Sequence, residues 1–223
     1  MKISNLRVER HDGFSYLTVD FDVNYTRANK LWFSVPSQYE DWLTSDVYDA
    51  FLVAALYPAM FYNEAIEIDG EVSHRLYYNC TRYVMSIIGY FRDGMSDVDI
   101  KVKGFKNAEK KYHHVGTGFS AGIDSFATFY DHFERETDPD YKIDSLFFFN
   151  VGSHGGGGEK ARRKFLERYN YLKSFPEEVG LPYIPMDSNL FDFYQKHWEF
   201  DAGEFCRCAG ILVFERALDK YFV

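Results

Sequence analysis

Hydrophobic and polar positions follow two different patterns along this chain, and the change falls near residue 110. In the first part, "SYLTVDFDV" (15–23) alternates apolar and polar residues with the period of a half-buried strand, and "KLWFSV" (30–35) follows after the turn-like "RANK". A helix is expected from Ser45 or Asp46, either of which can cap exposed N–H groups, through "VYDAFLVAALYPAM", with Pro58 kinking or ending it. A short strand "AIEI", a turn at "DG", a Ser73-capped helix over "HRLYYNCTRYVMSIIGYF" and a strand at "DVDIKVKG" complete a small α+β domain, residues 1–108.

From Lys111 strands and helices alternate. "KYHHVGTGF" is a β run, "SFATFYDHFERE" has helical periodicity, and "KIDSLFFFNV" is a nearly continuous apolar strand. The amphipathic helix "EKARRKFLERYNYLKSFPEEVG" closes on Gly180, "LPYIPMD" is a third strand, and "EFCRCAGILVFERALDKYF" is a last helix. Such alternation makes a parallel sheet with helices on both faces, an α/β domain over residues 109–223.

Composition narrows the function classes. With 46% hydrophobic and 19% aromatic residues the chain is a folded protein with large buried rings, and a net charge of −9 argues against general binding to nucleic-acid backbone. Charges interrupt the first residues where a signal peptide needs an apolar core, and no run of 18 apolar residues occurs, so a cytosolic protein without membrane attachment is expected. Cys80, Cys206 and Cys208 have no C-x-x-C spacing; the last two would point about 200° apart on a helix, and reduced thiols are expected.

The stretch "HVGTGFSAGIDSFATFYDHF" (114–133) carries the strongest chemical signal. A strand that stops at Gly116–Ser120 and feeds a helix near Asp124 brings helix N–H groups to the carboxyl edge of the sheet, where an anion binds. Gly122 lets backbone approach a phosphate, and Ser120 and Ser125 add hydroxyls. No Lys-Ser/Thr pair makes a Walker A loop, and the glycines do not follow G-x-G-x-x-G. Ser and Asp acting as caps of a plain strand-to-helix turn is the competing reading.

"SAGIDS" (Ser120, Ala121, Gly122, Ile123, Asp124, Ser125) resembles the S-G-G-x-D-S loop of the PP-loop ATP pyrophosphatases, and the order of elements over 111–222 is similar as well. The resemblance is nearest to the deazaguanine-nitrile synthases of the queuosine pathway. It implies a Rossmann-like (HUP-like) parallel sheet, ATP and Mg²⁺ as cofactors, and adenylation of a substrate oxygen with release of pyrophosphate. The loop would hold the departing pyrophosphate, with Asp124 organising the loop or the Mg²⁺. Ala121 stands where the family has the first paired glycine, tolerable only at negative φ, and Phe126 stands where many members have Ser or Thr. A non-catalytic nucleotide-binding module and a ligand-free interaction domain therefore remain alternatives.

The resemblance also suggests Asn150, Gly152, Ser153 and His154 near ribose and adenine, with Arg162 and Arg163 reaching phosphate. Asn189 would face substrate or nucleotide, and Arg207 resembles an arginine placed against the ATP phosphates, unless it pairs with Glu204 or Glu215 on the helix surface. The four glycines 155–158 read equally as a flexible loop. His113, His114, His197 and Trp198 read as packed or hydrogen-bonded residues, and Asp192, Glu199, Asp201 and Glu204 are too scattered for a metal cluster. Trp32, Trp42, Tyr77 and Tyr78 read as core ahead of a surface for a base or sugar. The substrate is expected to be a small or nucleobase-like molecule. Such domains have about five parallel strands where three are found here, so an incomplete C-terminus, or a sheet edge completed by another chain or a second copy, is expected.

Overall fold

The computed structural model describes every residue except Arg27, Gly156 and 195–199, and the side chains at 200 and 201 are also left undescribed. His197, Trp198, Glu199 and the side chain of Asp201 thus lie outside the described residues. The fold is α/β, and the described residues build a sheet of nine strands in the order β5-β4-β1-β2-β3-β8-β7-β6-β9, with five of its eight pairings parallel.

The first hairpin, β1 (Lys2–His11) and β2 (Phe14–Asp22), turns at Asp12 and Gly13, whose φ of 51° and 81° suit a two-residue turn between right-twisted strands. The alternation reading assigned no strand to β1, although this Asp-Gly pair marks it. β3 (Lys30–Pro36) extends the meander, and β4 (Ile66–Val72) and β5 (Ile100–Phe105) add to its other side. "DG" at 69–70 does not turn: β4 runs through it with a register shift, and Gly70 is needed because a Cβ would lie 2.1 Å from the Tyr48 ring.

α1 (Asp49–Tyr62) is buried from Asp49 to Met60, as expected of a helix apolar on all sides. Neither Ser45 nor Asp46 caps it. Asp46 instead receives the Glu109 N–H and ion-pairs with Lys106 and Arg216. Pro58 neither ends nor interrupts it. The Ala54 carbonyl, which a proline four residues on cannot satisfy, accepts the Tyr194 hydroxyl at 2.7 Å. Ser73 caps α2 (His74–Asn79) through the Leu76 N–H, and a wide turn over Cys80–Val84 leads into α3 (Met85–Phe91).

In the second half β6 (His114–Gly118), β7 (Ser145–Asn150) and β8 (Tyr183–Ser188) form the expected parallel strands. α4 (Ile123–Phe129) continues as a wide-turn helix over Tyr130–Glu134, while α5 (Gly158–Leu172) breaks before the short α6 (Ser174–Glu178). α4 and α5 cover one face of the sheet through Phe129 and Phe165, which share a core with Phe148 of β7. Past α7 (Phe191–Tyr194), α8 (Phe200–Leu212) covers the other through Cys206 and Ala209, with Phe214 just beyond it, in a core shared with α1 and β1–β3.

The last expected helix is two elements. It ends at Leu212, tight turns follow, and β9 (Leu218–Phe222) pairs parallel with β6 as a fourth strand. Alternation explains the change: Tyr221 stacks on Phe149 on one face, while Phe222 stacks on His132 at 3.6 Å on the other. The chain itself thus flanks the three expected strands, with β9 on β6 and β3 antiparallel to β8, and β9 forms the edge of the sheet. The sheet and the larger core both continue across the 108/109 boundary.

Candidate functional site

Counted from β6 as the first, the strands of the second half lie in the order 3-2-1-4. Connections leave β6 toward β7 on one side and, after β8, return to β9 on the other. A crevice opens at the carboxyl ends where the direction reverses, which is where open α/β sheets bind ligands. A cavity of about 430 Å³ lies there, lined by the ends of β6, β7 and β9 together with α4, α5 and α8.

The 120–125 turn forms one wall. Ser120, Asp124 and Ser125 line the cavity, and among the described residues no side-chain cap bond closes the helix that Gly122 opens, so its first N–H groups are open to a ligand. The Ser125 hydroxyl donates to the Gly122 carbonyl at 2.9 Å, which fixes the turn. Ile123 points away from the core, 84% exposed. Gly122 has extended backbone, and a Cβ there would meet only Ser120 Oγ at 3.5 Å. Ala121 violates the condition set for it: its φ is +55°, left-handed backbone that glycine adopts freely and alanine does not. Phe126 packs edge-on to Phe119 and Phe175, and so serves the aromatic cluster under the turn.

Ser153 and Arg207 reach the same cavity from β7's end and from α8. Arg207 also pairs with Glu204, so it is both a lining residue and a helix-surface ion pair. Pattern reading missed Arg168, Thr117, Thr128 and Tyr221, which complete the lining with His154. No local signal marked Arg168, which is exposed on α5 while Ala161 and Phe165 make the buried face of that helix. Arg168 lies over the Phe148 ring at 6.0 Å and has no ion pair among the described residues.

Asn150, Gly152 and Asn189 belong elsewhere, to a second cavity of about 230 Å³ at the carboxyl ends of β7 and β8. There Asp187 accepts from Asn150 Nδ2 at 2.6 Å and from Arg162 Nε at 2.5 Å, and Arg162 lies over Trp32. Asn189 accepts the Trp32 N–H at 2.9 Å and donates to the Lys30 carbonyl at 2.8 Å, so its amide joins β8 to β3. Arg163 pairs with Glu167 on the exposed face of α5. His113 and His114 pair with Asp219 and Asp144, and His114 stacks on Trp42 at 4.3 Å.

Cys206 is buried and Cys208 exposed, as opposite helix faces require, and all three thiols are free. Among the described residues no group of three or more His, Cys, Asp or Glu could hold a metal ion, and no helix is long and apolar enough to cross a membrane.

Fold and cavity together define an α/β protein compatible with a Rossmann-like fold, with a crevice at its strand-order reversal whose largely aromatic lining also carries hydroxyls, Asp124, Arg168 and Arg207. Comparison with known proteins finds no matching family model, no matching curated protein and no matching solved structure.

Proposed function

We propose that the 430 Å³ cavity binds an adenine nucleotide and that the protein is an ATP-dependent adenylating enzyme, releasing AMP and pyrophosphate as it activates a carbonyl or carboxyl oxygen for attack by nitrogen or sulfur. The observation that carries this reading is the position of Ser120–Ser125: the turn sits at the end of the first strand of a 3-2-1-4 order, facing Arg168 and Arg207 across one cavity. The lining fits the group. Uncapped N–H groups and the hydroxyls of Ser120 and Ser125 would hold phosphate oxygens, Arg168 and Arg207 would balance their charge, and Asp124 would meet phosphate-bound Mg²⁺. Bound Mg-ATP supplies the adenylyl group and pyrophosphate as the leaving group. Fixed donors at the turn would stabilise the charge that develops there. The phenylalanines at the ends of β7 and β9 would exclude water and offer ring faces to a base.

Incubation with ATP labelled at the α- or γ-phosphate tests the reaction class. Release of labelled AMP and pyrophosphate is expected, and release of inorganic phosphate would refute it. A second reading, a nucleotide-binding module without turnover, is favoured by Ala121 in left-handed backbone and by Phe126 in place of a hydroxyl. Calorimetry with ATP and AMP then gives binding without product.

A further inference from the structure

The wall of the cavity contributed by β7's end and α5 holds a histidine with an unfilled hydrogen-bonding position. His154 is 3% exposed, edge-on to Phe148 and Phe165 with ring centroids 5.1 and 5.4 Å away, and its Nε2 has no hydrogen-bond partner among the described residues. Nδ1 lies 3.3 Å from the Ser153 hydroxyl, which in turn lies 3.3 Å from the Phe149 carbonyl. Ser153 has one proton to donate. Given to the carbonyl, it leaves Oγ to accept from Nδ1–H, and Nε2 then carries a bare lone pair.

Charges reach this ring from several elements. α5 contributes Lys164 and Arg168, β8 contributes Asp187, and Asp124 of α4 and Arg207 of α8 line the same cavity. Burial first, then Arg168 and Lys164, hold the imidazole neutral, with its pKa lowered to about 4; Asp187 opposes them. A phosphate held by Arg168 and Arg207 would reverse that field and give an imidazolium its counterion.

We propose that the cavity takes up its phosphate-bearing ligand together with one proton from solvent, and that His154 Nε2 receives it. No bond in the ligand breaks; the proton adds to the free lone pair. The inference rests on the phosphate reading of the cavity, and the test separates the two.

Inorganic pyrophosphate, without metal, is titrated into the protein and into His154→Gln from pH 5.5 to 8. Any change from the ligand's own ionisation is common to both. The unsubstituted protein is expected to gain affinity relative to the variant as pH falls, approaching tenfold per pH unit while the bound histidine is protonated and the free one is not. Imidazole ¹⁵N shifts of the unsubstituted protein provide the direct readout, whether or not the variant folds. At pH 6 the His154 signals should be those of a neutral ring in the free protein and of an imidazolium at saturating pyrophosphate. Saturation with the ring still neutral overturns the proton uptake and leaves the phosphate site standing. Absence of pyrophosphate binding at every pH overturns both.

Discussion

Ala121 and Gly122 have exchanged the conformations their side chains favour. Ala121 holds φ at +55°, at a cost of about 1 kcal/mol for a residue with a Cβ, while Gly122 beside it occupies extended backbone open to any residue. Ala121→Gly is therefore expected to raise stability by about 1 kcal/mol in urea unfolding, without new contacts. Gly122→Ala should leave stability within about 0.5 kcal/mol and weaken ATP binding in calorimetry, because its methyl group meets only Ser120 inside the protein but would crowd a phosphate. Away from the cavity, Glu215 titrates against the buried Asp49. Burial first, and then Asp49, raise its pKa from 4.5 to about 7, and Lys110 opposes them. The folded state then binds this proton more tightly than the unfolded chain, so stability falls as pH rises from about 5 through 7 and levels off above. Glu215→Gln should flatten that decline and raise Tm at pH 8 relative to the parent, measured by thermal scans across pH.

At the scale of elements, β9 shows why local pattern misleads. "ALDKYF" continues the amphipathic look of α8, and only the free edge of β6 draws it into a strand. Gly116 makes the fit close: a Cβ there would lie 2.6 Å from the Phe147 ring and 3.0 Å from Leu218. Gly116→Ala is expected to cost about 1–3 kcal/mol and to speed amide exchange along 218–222 beyond that of the neighbouring strands. Pro58 gives the converse case, a helix breaker tolerated because Tyr194, far along the chain, satisfies the carbonyl it orphans. Neither outcome was legible locally, since each depends on a partner distant in sequence.

The two patterns meet in one molecule at the β3–β8 seam. Few ladder positions join these strands, Phe33 to Ser188 and Ser34 to Asp187, and side chains reinforce them through Asn189 and the Ser188 hydroxyl on the Trp32 carbonyl. Asn189→Ala should thus destabilise the protein by about 1–3 kcal/mol, by leaving the Trp32 N–H and the Lys30 carbonyl without partners, while ATP affinity of the folded fraction stays unchanged. Chemical denaturation and calorimetry on the same variant check both halves of this expectation.

Period and turn chemistry along the sequence determined the α/β alternation, the two-faced covering of β6–β8 and the strand-to-helix turn at 120–125, because each depends on residues within a few positions of one another. The tertiary structure alone decided which candidates share a cavity. It joined Ser120, Asp124, Ser125, Ser153 and Arg207 with Arg168 and His154, and moved Asn150, Gly152 and Asn189 to a second cavity. The reason is the sheet order: neighbours across a parallel sheet are set by crossovers and shared burial, and no period along the chain records them.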